Sequence, residues 1–164
     1  MTPRIARFLF APLTAAILTA CSATGGASGG EPQVRQVTQS AHCGLTGPGV
    51  ALVRSSAELE ALLDLGGQNI STGVIRQVNL EEEALVIVTL GQKPTAGYGV
   101  GLDSATRDNH TLKLAMKVTE PAPDMMVAQV ITSPCVVLAI ADEGWQRLEV
   151  SGLTESPILK TAGN

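Results

Sequence analysis

Two nearly unbroken apolar runs dominate the chain, ALVIVTL at 84–90 and CVVLAI at 135–140. Short runs without a polar face predict strands buried on both sides. Between them, 111–118 alternates. Leu112, Leu114, Met116 and Val118 fall on one face, and Lys113, Ala115 and Lys117 on the other. That period of two predicts a half-buried strand. Weaker strand patterns lie at 33–40, 50–53, 98–102, 126–132 and 147–150, the last expected to close the sheet. Turn residues punctuate them: Gly47-Pro48-Gly49, Ser133-Pro134, and Arg107-Asp108-Asn109-His110, which reads as a hairpin turn.

One segment reads as a helix, 55–65. Ser55 and Glu58 form an S-x-x-E capping box, Leu59, Leu62 and Leu63 follow at helical spacing, and Gly66-Gly67 stops the run. The short gaps between strands leave too little chain for repeated crossover helices. The expected fold class is α+β, a mainly antiparallel β-sheet with one packed helix at about residues 55–65.

The start of the chain has a different pattern. Arg4 and Arg7 precede an apolar stretch at 8–20, whose 13 residues fall short of the roughly 20 a membrane-spanning helix needs. It ends in Leu18-Thr19-Ala20-Cys21, which resembles the bacterial lipobox. That resemblance implies a cleaved signal at 1–20 and a diacylglycerol thioether on Cys21. It further implies an amine often acylated too, palmitate being the expected kind of chain. Several chains together anchor a protein stably, at about 0.8 kcal/mol per buried methylene. Ser22, in place of Asp, implies the outer membrane if the organism has one. The Gly- and Ser-rich stretch at 21–32 is expected to be a flexible tether. A single domain at 33–155 and a polar C-terminal tail at 156–164 complete the expected layout. Gly26-Ala27-Ser28-Gly29-Gly30 matches G-x-S-x-G, but it lies in the tether without the strand and helix a nucleophile elbow requires.

Charge and composition narrow the function classes. Without residues 1–20 the chain carries 9 Lys and Arg against 15 Asp and Glu, a net charge of −6. One Tyr and one Trp remain, Tyr98 and Trp145. Net repulsion and the lack of stacking aromatics argue against nucleic acid.

Catalysis finds little support. His42 and His110 are the only imidazoles, and no Ser/His/Asp arrangement has a supporting context. Glu81-Glu82-Glu83 reads as a solvated flank. His42, Cys43 and the Met125-Met126 pair lack metal-ligand spacing. No cofactor, no metal and no enzymatic activity are expected. Cys43 and Cys135 form an even pair in an exported chain, which predicts a disulfide worth about 4–5 kcal/mol in the chain-entropy model. Two buried free thiols are the alternative.

The most distinctive local sequence is Gly91-Gln92-Lys93-Pro94-Thr95-Ala96-Gly97-Tyr98. Placed between two strands, it is expected to be a hairpin loop. Pro94 restricts φ, Gly97 opens backbone space closed to other residues, and Tyr98 offers an amphipathic ring. Lys93, Pro94, Thr95, Gly97 and Tyr98 are the candidate partner-binding residues. The alternative is that Pro and Gly only shape the turn while Tyr98 caps the core.

This loop after a buried strand, with Pro121-Ala122-Pro123-Asp124 and Ser133-Pro134 later, resembles the PrcB C-terminal domain family between about 82 and 140. In that family the loop reads approximately T-G-G-Y. Thr95, Gly97 and Tyr98 match, and Ala96 replaces the first Gly. The resemblance implies an envelope lipoprotein that binds or stabilises a secreted or surface protease without catalysis of its own. The same loop is similar to the N-P-T-T-G-Y/F loop of chagasin-like protease inhibitors, which implies inhibition as a second reading. Their companion R-P-W loop is missing here. A structural envelope lipoprotein with no protease partner is the third.

Overall fold

The computed structural model describes residues 32–162. The signal, Cys21 and most of the tether lie outside the described residues. Eight strands form two four-stranded sheets. The first has the order β1-β6-β3-β2, from β1 (Val34–Ser40), β6 (Cys135–Ala141), β3 (Glu83–Leu90) and β2 (Pro48–Val53). The second has the order β4-β5-β7-β8, from β4 (Gly99–Asp108), β5 (Thr111–Thr119), β7 (Arg147–Ser151) and β8 (Ile158–Thr161). Two short helices, α1 (Ser56–Leu63) and α2 (Thr72–Ile75), accompany them.

The fold is α+β and largely antiparallel, as the pattern predicts, but it has two sheets rather than one. The apolar runs explain the layering. On one face of β3 and β6, Val86, Val88, Val136, Leu138 and Ile140 pack with Leu112, Leu114, Leu148 and Val150 of the second sheet. On the other face, Leu85, Ile87, Val137 and Ala139 pack with Leu59 and Leu63 of α1 and Ile75 of α2. Both strands are therefore sandwiched between a sheet and a helical layer, which removes any need for a polar face.

Helix α1 is shorter than expected and ends before Gly66. Ser55 caps it: its hydroxyl accepts from the Glu58 amide at 3.3 Å. Glu58 reaches back one residue beyond the usual partner and accepts from the Arg54 amide at 2.7 Å. Arg54 also pairs with Asp142 and lies 5.2 Å from the centroid of the buried Trp145 ring.

Several elements differ from the sequence pattern. The expected strand at 98–102 runs on to Asp108, bulged between Leu102 and Ser104. The hairpin turn after it is formed as expected, with Asn109 at φ 52°. β7 pairs parallel with β5, and β8 lies in what reads as a polar tail. The expected strand at 126–132 is absent as a ladder member. Apart from one bridge at Thr132 and a bond from the Ala96 amide to the Ala128 carbonyl, this stretch has no regular pairing.

Candidate functional site

The candidate loop is not a hairpin. β3 belongs to the first sheet and β4 to the second, so 91–98 carries the chain from one sheet to the other. Residues 120–134 carry it back from β5 to β6. The two connections lie side by side and hold each other.

Each end of the loop is fixed by backbone. Gly91 takes φ 68°, and a Cβ there would sit 2.7 Å from the Pro48 nitrogen and 2.9 Å from the Thr46 carbonyl oxygen. Gln92 donates to that carbonyl at 3.2 Å. Lys93 and Thr132 exchange amide bonds of 2.8 and 3.0 Å. The Ala96 amide donates to Ala128 at 3.0 Å, and the Thr132 hydroxyl donates to the Thr95 carbonyl at 2.9 Å. Gly97 takes φ 94°, and a Cβ there would lie 2.9 Å from Pro121 Cβ and 3.4 Å from Val127 Cγ1. The glycine thus permits both a left-handed backbone and a close approach of the two connections.

These contacts bring Lys93, Pro94, Thr95, Gly97 and Tyr98 into one ordered surface feature. The Lys93 ammonium stands 5.3 Å from the Tyr98 ring centroid, within cation–π range. Tyr98 is half-buried and Pro94 exposed. The arrangement offers a cation, an aromatic face and a stiff backbone, which suits recognition of a surface.

Cys43 and Cys135 are disulfide-bonded and fully buried. The bridge lies at the base of the site. The Cys43 amide donates to Ser133 at 2.9 Å, the Ser133 amide to Ala41 at 2.8 Å, and the Gly44 amide to the Ser133 hydroxyl at 2.7 Å.

His42 and His110 are both exposed, His42 bridging to Ser133 on the returning connection and His110 in the β4–β5 turn, where its carbonyl accepts from Gln146 and Arg147. Among the described residues, no group of three or more His, Cys, Asp or Glu could hold a metal ion. Glu83 pairs with Arg35 through two bonds of 3.0 and 2.6 Å, and this hydrogen bonding raises the guanidinium above its ordinary range.

One feature of this surface was hidden in the sequence. Met125, Met126, Val130 and Ile131 are exposed, Met126 completely. A strand reading of 126–132 would have placed alternate members of this set in the core. The departure follows from the fold, in which this stretch joins neither sheet.

The site therefore defines a two-sheet α+β domain with paired sheet-switching connections and no assembled catalytic centre among the described residues. Residues 84–141 match the family described as PrcB C-terminal, which bears out the resemblance read from the sequence. The matched segment covers β3, the 91–98 connection, β4, β5, the 120–134 connection and β6. No curated protein and no solved structure matches the chain.

Proposed function

We propose that this chain is an exported envelope lipoprotein, anchored through Cys21, that serves as a non-catalytic binding module for a secreted or surface protease. The carrying observation is the ordered loop of Lys93, Pro94, Thr95, Gly97 and Tyr98, pinned to 120–134 within the segment that matches the PrcB C-terminal family. Family resemblance supplies the protease as partner. The loop supplies the contact: a rigid backbone costs little entropy on binding, and an amphipathic ring with a neighbouring cation suits a protein surface.

The domain's amino-terminal end fits the anchor. β1 begins at Val34, level with Ile140 and Ala84 and so at the opposite end of the first sheet from Leu90, where the 91–98 connection departs.

Capture from envelope extract tests the binding. The intact lipoprotein retains a protease, identified by mass spectrometry, and Tyr98→Ala releases it without altering the melting temperature. Equal retention by the variant removes the loop from the proposal. Anchoring has its own test. A fatty-acid probe labels the wild type but not Cys21→Ser, and an unlabelled wild type ends the lipoprotein reading.

A further inference from the structure

β1 and β2 bound the first sheet, and β4 and β8 the second. Natural sheet edges are commonly blunted by charge, by bulges or by short length. β1 carries Arg35 and a register shift between Gln36 and Thr38, and β4 carries Asp103, Arg107 and a shift between Leu102 and Ser104. β8 is four residues long and holds Lys160. β2 has none of these devices: Pro48–Val53 contains no charged residue and pairs with β3 in unbroken register.

The Leu90 amide donates to Pro134 and the Asp142 amide to Glu82, so even-numbered residues along β3 turn their backbone groups toward β6. Val50 is level with Val88 and Leu52 with Val86, so Val50 and Leu52 turn theirs away from β3, to the open side. Among the described residues neither amide has an acceptor. Arg54 is next in line, and there Glu58 closes the edge by accepting from the amide at 2.7 Å. The Val50 and Leu52 side chains face the core between the sheets. On that side a groove of about 710 Å³ separates β2 from β8. Lys160 lines it, level with the buried Leu148 and so on the core-facing side of β8. It enters none of the ion pairs among the described residues.

We infer that the β2 edge takes an extended segment of a partner protein as an added strand, with an acidic side chain of that segment meeting Lys160. Guest residues that exchange hydrogen bonds with Val50 and Leu52 point their side chains the same way as those two, into the groove toward Ile158 and Lys160. The recognised pattern is therefore an apolar residue and a carboxylate at alternate positions. Charge names the occupant. β2 of a second copy, PGVALV, brings no carboxylate, and neither does the tether from Ser22 to Gly30. The segment is short, because Pro48 has no amide at one end and Glu58 closes the other. The edge begins beside the base of the candidate loop, Pro48 being level with Leu90, yet it uses none of the loop's residues. Tyr98→Ala therefore leaves this pairing intact, and the two readings fail separately.

Titrating the isotope-labelled full-length chain in detergent with an end-capped peptide, TETVTET, to about 2 mM tests the pairing through its amide resonances. The peptide places Glu, Val and Glu on one face and reads alike in both strand directions. The largest shifts should fall on the Val50 and Leu52 amides and saturate. N-methylation of the central Val, which removes the donor and keeps the side chain, should weaken binding about tenfold. TKTVTKT should bind about fivefold more weakly than TETVTET, and Lys160→Glu should reverse that order. The inference is overturned if Val50 and Leu52 do not respond, if the largest shifts fall elsewhere, or if the N-methylated peptide or TKTVTKT binds equally well. It is also overturned if the two amides are protected from exchange before peptide is added. Release on dilution would then assign the edge to a second copy, and release on deleting Ser22–Gly30 would assign it to the tether.

Discussion

Lys93 and Thr132 exchange two backbone hydrogen bonds, of 2.8 and 3.0 Å, between the connection that leaves the first sheet and the connection that returns to it. This pair converts two long loops into one braced unit. Thr132 is almost fully buried, although it belongs to a stretch that is otherwise exposed. The brace sets what the loop can present, because Lys93 also stands over the Tyr98 ring.

Gly97 is the most sensitive point of that brace. At φ 94° and with Pro121 Cβ 2.9 Å from any added Cβ, alanine there meets both a disfavoured backbone and a wall. Gly97→Ala should cost about 1–3 kcal/mol, read as a lower urea midpoint with unchanged slope. Protease capture should fall with it. An unchanged midpoint would show that the connection yields without cost.

Burial on both faces of β6 gives a second expectation. Leu138 is fully enclosed between the sheets, whereas Leu159 on β8 is mostly exposed. Leu138→Ala should destabilise by about 2–5 kcal/mol through lost burial and a residual cavity. Leu159→Ala should stay within about 0.5 kcal/mol. Equal losses in equilibrium unfolding would contradict the layer order.

The α1 cap offers a smaller, local test. The Ser55 hydroxyl accepts from the Glu58 amide, one of the donors at the helix start without an intrahelical partner. Ser55→Ala should cost about 1 kcal/mol and Ser55→Asp close to nothing. Thermal unfolding of the three proteins ranks them.

Local pattern carried much of the fold. β3 and β6 were legible because continuous apolar runs report burial on both faces, and β5 because alternation reports burial on one. The hairpin after β4 was legible because Asn109 tolerates positive φ. Partner choice was not legible. The parallel pairing of β5 with β7 and the attachment of β8 join segments distant in sequence, and no local period encodes them. Ile158–Thr161 has only Ile158 facing the core, too short a signal to separate from a tail. At 126–132 the local preference for strand is real, yet the stretch joins neither sheet. Tyr98 and its loop stood out by composition. Their bracing by Thr132 and Pro121 needed the structure.

The disulfide joins residues 92 apart in sequence and ties the strand-entry residue Cys135 to the segment beside Ser133. Closing so long a loop restricts the unfolded chain, and full burial protects the bond in the folded one. Cys43→Ser with Cys135→Ser should lower stability by about 2–5 kcal/mol. The loss should not be uniform. Ser133, Thr132 and Lys93 form a continuous line of backbone bonds from Cys43 to the candidate loop, so their amides should lose exchange protection first. Those of Val86 and Leu138, in the centre of the first sheet, should open only with global unfolding. Amide exchange measured on both proteins under native conditions decides the matter. A uniform loss would show that the bridge acts on the unfolded chain alone, whereas early opening at Lys93 and Thr132 would make it the foundation of the loop.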